Sequence, residues 1–278
     1  MAKRLHETLR TIEKYKRMNP HYEELLDILG EILILRERFQ KDMKDNIFPV
    51  DESLISKKMA GGLPLIDFTN NQFDLSEPER YFKALMKIAE ERVPDETGEI
   101  LEKIKAGTIS YEQMIYDTFH NQRTDVDLDE DDNSDTLDLI DLFLEESLRP
   151  ALGKVVERYG EAVTAAEWCE GYCPICGQEP KIGEIKDEDG FRFLFCNQCG
   201  YEWHFRRIKC PFCGNEEQQS LAYFTIEGEE RYRVDVCYVC KRYIKMVDFR
   251  DAEEEANLDV EDIATLHLDI LANEEGYD

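Results

Sequence analysis

The residues best suited to chemistry in this 278-residue sequence are its nine cysteines, which all lie between positions 169 and 240. Eight of them form four Cys-x-x-Cys pairs, namely Cys173/Cys176, Cys196/Cys199, Cys210/Cys213 and Cys237/Cys240. Glycine directly follows three of the pairs, and it lets the backbone curl so that its N–H groups face the sulfurs. Since four thiolates complete a tetrahedral shell around zinc or iron, four pairs predict two closed metal sites.

The simplest arrangement joins consecutive pairs, because the 19 and 23 residues between paired turns each suit a hairpin or a three-stranded excursion. The predicted ligands are Cys173, Cys176, Cys196 and Cys199 for the first site, and Cys210, Cys213, Cys237 and Cys240 for the second. Cys169 is left over and is expected to be an unligated thiol near the end of a helix. His204 is an alternative ligand, although eight cysteines already satisfy two sites.

Two other uses of paired cysteines compete with metal binding. A disulfide framework needs an oxidising compartment, yet the N-terminal segment has no apolar core that could serve as a secretion signal. Thioredoxin-like redox centres normally use one pair at a strand-to-helix turn rather than four pairs on hairpins. Metal binding is therefore the favoured interpretation, and iron and zinc both stay open because both accept four thiolates.

The formal net charge of −28 is extreme, and such a field repels nucleic acid. No apolar run approaches the length needed to span a bilayer, so a soluble cytoplasmic protein with reduced thiols is expected. Residues 177–250 are nearly neutral, with 12 basic and 13 acidic side chains. Their basic residues can either contact an anion or keep strand edges soluble, and the second interpretation is slightly preferred. The basic residues in question are Arg192, Arg206, Arg207, Lys209, Arg231, Arg233, Lys241, Arg242 and Lys245.

Apolar residues in the first 170 positions recur at helical spacing. Ser76 and Glu79 predict a capping box at the start of one helix, and residues 48–75 are expected to be irregular because they contain prolines and glycines. Pro150 is predicted to separate two helices. Residues 125–135 are too acidic to pack, and we interpret them as a disordered surface loop.

After the first cysteine pair, alternation of apolar and polar residues replaces the helical period. Asp189 and Gly190 predict a hairpin turn, and Phe191, Phe193 and Phe195 are expected to share one face of the strand that follows. Further strands are predicted at 221–226, 232–236 and 243–247. The strands are short, so metal ions are expected to supply much of the stability of this region.

These patterns predict an α+β protein, in which an all-α domain is followed by tandem rubredoxin-like or zinc-ribbon β modules and a C-terminal helix. The expected helical domain is 1–170, and the expected tail is 251–278, an acidic segment whose helix Asp259 is predicted to cap. The expected metal-binding domain is 171–250, with subsites 171–207 and 208–250. No conventional catalytic constellation is evident, so an enzyme is not expected.

Several runs of residues resemble the formate dehydrogenase accessory protein family (FdhE). The family's first cysteine turn looks like GYCPICGQEP at 171–180, and its second and third are similar to RFLFCNQCGYEWHFRRIKCPFCG at 192–214. Its fourth turn resembles Cys237/Cys240 with the following Tyr243-Ile-Lys245, and its tail resembles DIATLHLDILANEEGY at 262–277. The acidic segment 125–135 departs from the family pattern.

The resemblance implies a cytoplasmic protein with a rubredoxin-like module that holds two metal ions, iron or zinc. It also implies binding to the catalytic subunit of a respiratory formate dehydrogenase before its twin-arginine export, in maturation or quality control rather than in catalysis. A rubredoxin-like iron protein for redox or electron transfer is the alternative. A nucleic-acid-binding zinc-ribbon protein is a third class, which the acidic charge disfavours.

Overall fold

The computed structural model describes residues 2–68, 73–92, 94–120, 134–252 and 254–278. Its N-terminal α-helices are α1 (Ala2–Met18), α2 (Glu23–Asp42), α3 (Ile55–Ala60), α4 (Ser76–Glu90), α5 (Pro94–Lys105), α6 (Tyr111–His120) and α7 (Ser134–Thr164). The strands are β1 (Ile182–Lys186), β2 (Phe191–Phe195), β3 (Glu202–Phe205), β4 (Leu221–Phe224), β5 (Tyr232–Cys237) and β6 (Tyr243–Asp248). Two further helices follow, α8 (Leu258–Ala264) and α9 (Leu266–Glu274). The predicted fold class is confirmed, with helices, then a mixed sheet, then C-terminal helices.

Helix α7 packs against α2 and α4 and forms the centre of the helical body. Phe143, Leu148 and Leu152 of α7 are almost completely buried, as are Tyr81 and Phe82 of α4. Burying a large apolar side chain contributes about 1.5–3 kcal/mol relative to leaving it exposed. The same apolar cluster includes the cysteines of the first predicted metal site, so the helices and that site share one core.

Helix α7 continues through Pro150, so the predicted break at this residue is wrong. Proline lacks an N–H group and crowds the carbonyl one turn earlier, which normally kinks or ends a helix. Gln198 donates a hydrogen bond of 2.6 Å to the carbonyl of Glu145, which is next to the Glu146 carbonyl that Pro150 leaves without its helical donor. Leu148 and Leu152 are fully buried on either side. Tertiary contacts therefore hold the helix continuous where local propensity would end it.

Two predicted helix caps are wrong, because neighbouring residues hold the cap positions. Ser76 lies inside α4, and both its N–H and its hydroxyl donate to the carboxylate of Asp74. In α8 the N-cap position belongs to Asn257. Asp259 lies within the first turn and forms an ion pair with Arg149, with 2.5 Å between Oδ1 and Nη2. Its carboxylate thus serves tertiary structure rather than the helix end.

The stretch 48–75, which was expected to be irregular, contains α3, whose Ile55 and Met59 are buried. Of the acidic segment 125–135, residues 125–133 lie outside the described residues, and the last two positions already belong to α7. Among the described helices, none combines the length and the apolar character that a membrane crossing requires.

The six strands form one sheet in the order β3-β2-β1-β6-β5-β4. Each half of the sheet is an antiparallel meander, β1 to β3 in one half and β4 to β6 in the other. The halves join where β1 runs parallel to β6, from Ile182 opposite Lys245 to Ile185 opposite Asp248. This pairing covers one edge of each half, and an uncovered edge would be open to pairing with other chains.

The side chains of β2 are oriented by its register with β3. Phe193 lies opposite His204, and Leu194 lies opposite Trp203, so the phenylalanine face of β2 is shared with His204. Leu194 is fully buried, whereas Phe193 is only partly buried. Because side chains alternate along a strand, Arg192 lies on the same inward face as Leu194 and is buried there. A guanidinium therefore occupies a core position of the sheet.

Ion pairs attach the C-terminal helices to the sheet. Lys245 of β6 is 2% exposed, and its Nζ lies 2.7 Å from Oδ1 of Asp262 in α8 and 2.6 Å from Oδ2 of Asp269 in α9. The hydroxyl of Tyr243 donates to the other oxygen of Asp269 at 2.8 Å. One buried ammonium thus holds two carboxylates from two helices.

Replacing this ammonium tests its role. Lys245→Met should lower the free energy of unfolding by about 2–4 kcal/mol, because two largely buried carboxylates lose the cation that they share. Lys14→Met removes the exposed ion pair with Glu254 and should change stability by less than about 1 kcal/mol. Urea unfolding of the two metal-loaded variants measures the difference. Equal stability of the two variants would contradict the role assigned to Lys245.

Candidate metal centres

The four Cys-x-x-Cys turns share one backbone geometry. In each turn, the N–H of the first cysteine donates to the carbonyl five residues later, and the N–H four residues later donates back to the cysteine carbonyl, at 2.8–3.1 Å. The residue four positions after the first cysteine has a left-handed φ in every turn: Gly177 (81°), Gly200 (77°), Gly214 (72°) and Lys241 (60°). Glycine adopts this conformation readily, which explains its place after three of the pairs.

The fourth turn holds Lys241 where the other turns have glycine. A residue with a Cβ costs about 1–2 kcal/mol in the left-handed region, so other contacts must stabilise it. The ammonium lies 5.8 Å and 5.6 Å from the ring centroids of Tyr238 and Tyr277. The carbonyl of Lys241 accepts a hydrogen bond of 2.9 Å from the N–H of Asp278. Residues 277 and 278 thus stabilise the fourth turn. The sequence of the turn itself does not reveal this role.

These turns bring the eight thiols into the two predicted sets. Within each set, all four Sγ atoms lie within 4.8 Å of one another. The closest sulfur pairs are 3.4–3.7 Å apart: Cys173–Cys199, Cys176–Cys196, Cys210–Cys240 and Cys213–Cys237. A tetrahedral ion with metal–sulfur bonds of about 2.3 Å separates its sulfurs by roughly 3.8 Å. Each set can therefore hold one metal ion.

The two sets differ in their exposure to solvent. All four cysteines of the first set are buried, whereas in the second set Cys213 is exposed and Cys240 is partly exposed. The loop after α3 covers the first set, since the N–H groups of residues 65 and 66 donate to the carbonyls of Pro174 and Ile175 at 2.9 Å. An ion in the second set is consequently the more accessible one.

One thiol in each set has a lowered pKa. Burial raises the pKa of Cys196, but hydrogen bonds from the neighbouring thiols bring it well below its ordinary value. Burial likewise raises the pKa of Cys237, while the N–H groups of Cys240 and Val239 contribute to lowering it to about 7. Burial raises the pKa of most of the other cysteines in the sets: Cys173, Cys176, Cys199, Cys210 and Cys240. Because the thiolate is the metal ligand, the thiols of each set must lose their protons when an ion binds.

The remaining cysteine and the alternative histidine ligand lie outside both sets. Cys169 is exposed, and its thiol donates to the carbonyl of Glu167 at 3.4 Å. His204 lies on the exposed face of β3, with its ring 5.5 Å and 5.7 Å from the rings of Phe191 and Phe193. All nine cysteines are described, and none of them forms a disulfide.

Contacts between the turns connect the two sets. A Cβ at Gly171 would overlap the backbone of Pro211, so glycine allows the segment before the first turn to touch the third turn. Arg242, after the fourth turn, forms two hydrogen bonds with Glu179 (2.9 and 2.7 Å) and lies 3.8 Å from the ring centroid of Phe212. These contacts were not predicted from the sequence. The one local signal is Gly171 beside the first turn, since a glycine there allows another backbone to come close.

Replacing single cysteines tests the two sets. Cys196→Ser should remove the ion of the first set alone, and Cys237→Ser the ion of the second set alone, because each removes one of four ligands. Cys169→Ser is the matched control and should keep both ions. Metal content per chain is the measurement. In a chelator challenge of the intact protein, the second ion should leave first, and Cys237→Ser should lack this fast phase. A disulfide-bonded pair in the purified protein, or one ion at full loading, would contradict the two sets.

The left-handed backbone of the turns makes a separate prediction. Gly214→Ala should lower the free energy of unfolding by about 1 kcal/mol or more, because the φ of 72° at this position disfavours a residue with a Cβ. Steric overlap is not the cause, since among the described residues the added Cβ would meet Lys209 Cε at 4.0 Å. Gly98 lies in α5, where an added Cβ would meet no atom of the described residues within 4 Å outside its own helix, so Gly98→Ala should instead stabilise the protein by up to about 1 kcal/mol. Thermal unfolding of both variants gives the comparison, and shifts of the same sign would count against this account of the turn.

Comparison with known proteins finds matches over the regions that contain both thiol sets. The family models for the FdhE central domain and the FdhE C-terminal domain match residues 172–207 and 208–278. A protein FdhE homolog of Aquifex aeolicus is 27% identical over 272 residues, which cover 97% of this chain and 90% of that protein. Protein FdhE of Escherichia coli (strain SE11) is 29% identical over 234 residues, 80% of this chain and 69% of that protein.

A solved structure has the same fold. The crystal structure of the FdhE protein from Pseudomonas aeruginosa matches with a TM-score of 0.72 over 99% of this chain and 92% of that one, at 21% identity. The helical body and the sheet therefore have a fold that a solved FdhE protein shares. Residues 172–278 thus match two adjacent FdhE domain models, and this chain is similar to FdhE relatives over most of its length.

Proposed function

We propose that this protein is a cytoplasmic accessory factor that binds the catalytic subunit of a respiratory formate dehydrogenase during maturation, before export. The observation that carries the proposal is the match to two FdhE domain models, together with similarity to an FdhE relative that extends over nearly the whole chain. The role itself is the one that the resemblance to formate dehydrogenase accessory proteins implies.

The geometry of the thiol sets supports a role without catalysis. A catalytic metal keeps one coordination position for water or substrate, whereas four protein sulfurs close the shell. The first set is also buried, so substrate has no direct access to an ion there. We propose that the protein is not an enzyme and carries two ions, of iron or zinc. The proposed ligands are Cys173, Cys176, Cys196 and Cys199, and Cys210, Cys213, Cys237 and Cys240.

The distribution of charge supports a partner with a basic segment. The net charge is −28, and residues 251–278 contain 11 acidic and no basic side chains. A twin-arginine signal on the immature subunit would be attracted by this field, which raises the association rate and makes it sensitive to salt. The same field repels the many phosphates of a nucleic acid, so a nucleic acid is not the proposed partner.

A second candidate function is electron transfer by rubredoxin-like iron. The observation in its favour is the exposure of the second thiol set, where Cys213 reaches the surface and Cys240 is partly exposed. Iron in a tetrathiolate site changes its oxidation state, whereas zinc does not. Metal analysis of anaerobically purified protein separates the two cases, because zinc in both sets would remove this candidate.

Co-purification tests the accessory role. Tagged, metal-loaded protein should retain the immature catalytic subunit, and a deletion strain should lose most of its formate dehydrogenase activity. Subunit with and without its signal peptide should be compared in parallel. If the signal is contacted, its removal should weaken retention, and the association rate should fall as salt rises from about 50 to 200 mM. Cys169→Ser should behave as the unaltered chain.

Two results together would contradict the accessory role. If neither form of the subunit is retained and the deletion strain keeps its formate dehydrogenase activity, the accessory role is wrong. The electron-transfer candidate would then be the one that remains.

A further inference from the structure

A cavity of about 290 Å³ lies between the two halves of the sheet region, beside the second thiol set. Its walls come from β2, the segment 207–212, β4, β5 and β6. Five basic side chains and one acidic side chain, Asp235, line it. The basic residues are Arg192, Arg207, Lys209, Arg233 and Arg242.

Arg192 is the most deeply placed of these cations. It is 2% exposed, and its Nη1 donates to the carbonyl of Lys209 at 3.1 Å. Its Nη2 is 3.7 Å from Oδ2 of Asp235, too far for a hydrogen bond, and Nε and Nη2 have no hydrogen-bond partner among the described residues. Burial lowers the pKa of this guanidinium. A buried guanidinium that has only one distant carboxylate near it among the described residues is incompletely neutralised, so this side of the cavity favours an anion.

Arg233 competes with Arg192 for the same carboxylate. Its Nε lies 2.9 Å from Oδ1 of Asp235, without the alignment of a hydrogen bond, and its Nη2 donates to Oδ2 at 3.4 Å. One carboxylate therefore serves two guanidinium groups at the wall of the cavity. A second oxyanion would supply the negative charge that one carboxylate cannot give to both.

The other acidic groups near the cavity are already engaged. Glu179 forms two hydrogen bonds with Arg242, and Glu216 lies 3.9 Å from Lys209 and 3.1 Å from Arg206. Neither is therefore free to pair with the two guanidinium groups that share Asp235.

Neutralising the second metal site is another role for these cations. Cys210 and Cys237 line the cavity, and four thiolates around a divalent ion carry a net charge of about −2. That role requires nearby positive charge but no open cavity. It also leaves Nε and Nη2 of Arg192 without acceptors, since neither atom has a sulfur partner.

We propose that this cavity binds an oxyanion group, a carboxylate or a phosphate, held between Arg192 and Arg233. The bound group balances the charge of the two guanidinium groups that share Asp235. Phe212 and Leu221 provide apolar walls, which suit an anion that carries an apolar attachment. The anion arises either as a free small molecule or as an acidic side chain of a partner, and the two sources share the same recognition chemistry.

Titration calorimetry on the metal-loaded full chain tests the site with three probes at constant ionic strength: inorganic phosphate, acetate and a triglutamate peptide. At least one probe should bind saturably. Arg233→Gln should weaken that binding about tenfold or more, because a charge-assisted hydrogen bond is lost. Arg231→Gln is the matched control, since its guanidinium lies 5.2 Å from the ring centroid of Phe249 and does not line the cavity. It should leave the affinity within about twofold.

Ile208→Glu is a second variant that places a competing carboxylate at the cavity from an exposed position, and it should also weaken binding. Metal content is measured for each variant, so that loss of the second ion is not mistaken for loss of the anion site. Tighter binding of triglutamate than of acetate would support the site with a partner's acidic side chain as the source. Tighter binding of phosphate would support it with a free anion. No saturable binding by any probe, or equal affinity in Arg233→Gln and Arg231→Gln, would overturn the proposal.

Discussion

The close approach of four sulfurs in each thiol set is the constraint on which the rest of the sheet region depends. Thiolates 3.4–3.7 Å apart repel one another strongly, and burial in the first set increases the repulsion. Only a cation at the centre, or protonation of most of the sulfurs, relieves it. Apolar side chains of the first three strands share one core with the first thiol set, so metal binding and folding of that half are expected to be coupled. Because β1 pairs with β6, loss of either ion would disturb a sheet that both halves share.

A second set of buried charges fixes the helical body to the same sheet. Arg36 of α2 donates two hydrogen bonds of 2.7 Å to Glu146 of α7. Arg149, one turn further along α7, pairs with Asp259 of α8 and donates to the carbonyl of Asn197 in the second cysteine turn. Burial raises the pKa of Asp259, but the two guanidinium groups bring it below its ordinary value. The geometry of the first thiol set is thus supported by side chains from three helices.

Sequence reasoning succeeds here where structure is local. The four turns, their grouping into two sets and the later strands follow from spacing and from glycine positions, because each depends on a few neighbouring residues. Helix α7 passes through Pro150 in a segment that Gln198 contacts, and Arg192 faces inward towards Asp235. Both partners lie far away in the chain, so no local pattern reveals them. The parallel pairing of β1 with β6 is equally hidden, since no local pattern specifies which edges of two meanders meet.

The parallel pairing of β1 with β6 determines when the sheet can be completed during synthesis. Strand β1 ends at Lys186 and β6 begins at Tyr243, so roughly sixty residues must be added before β1 meets its second neighbour. At about 5–20 residues per second, the first half of the sheet waits for some 3–12 s with that edge open. During this interval its backbone N–H and C=O groups are available to any extended segment nearby. During synthesis the chain therefore passes through a stage in which strands β1 to β3 expose an unpaired edge that can associate with other segments. Rapid binding of a metal ion by the first four cysteines would keep these strands folded during that stage.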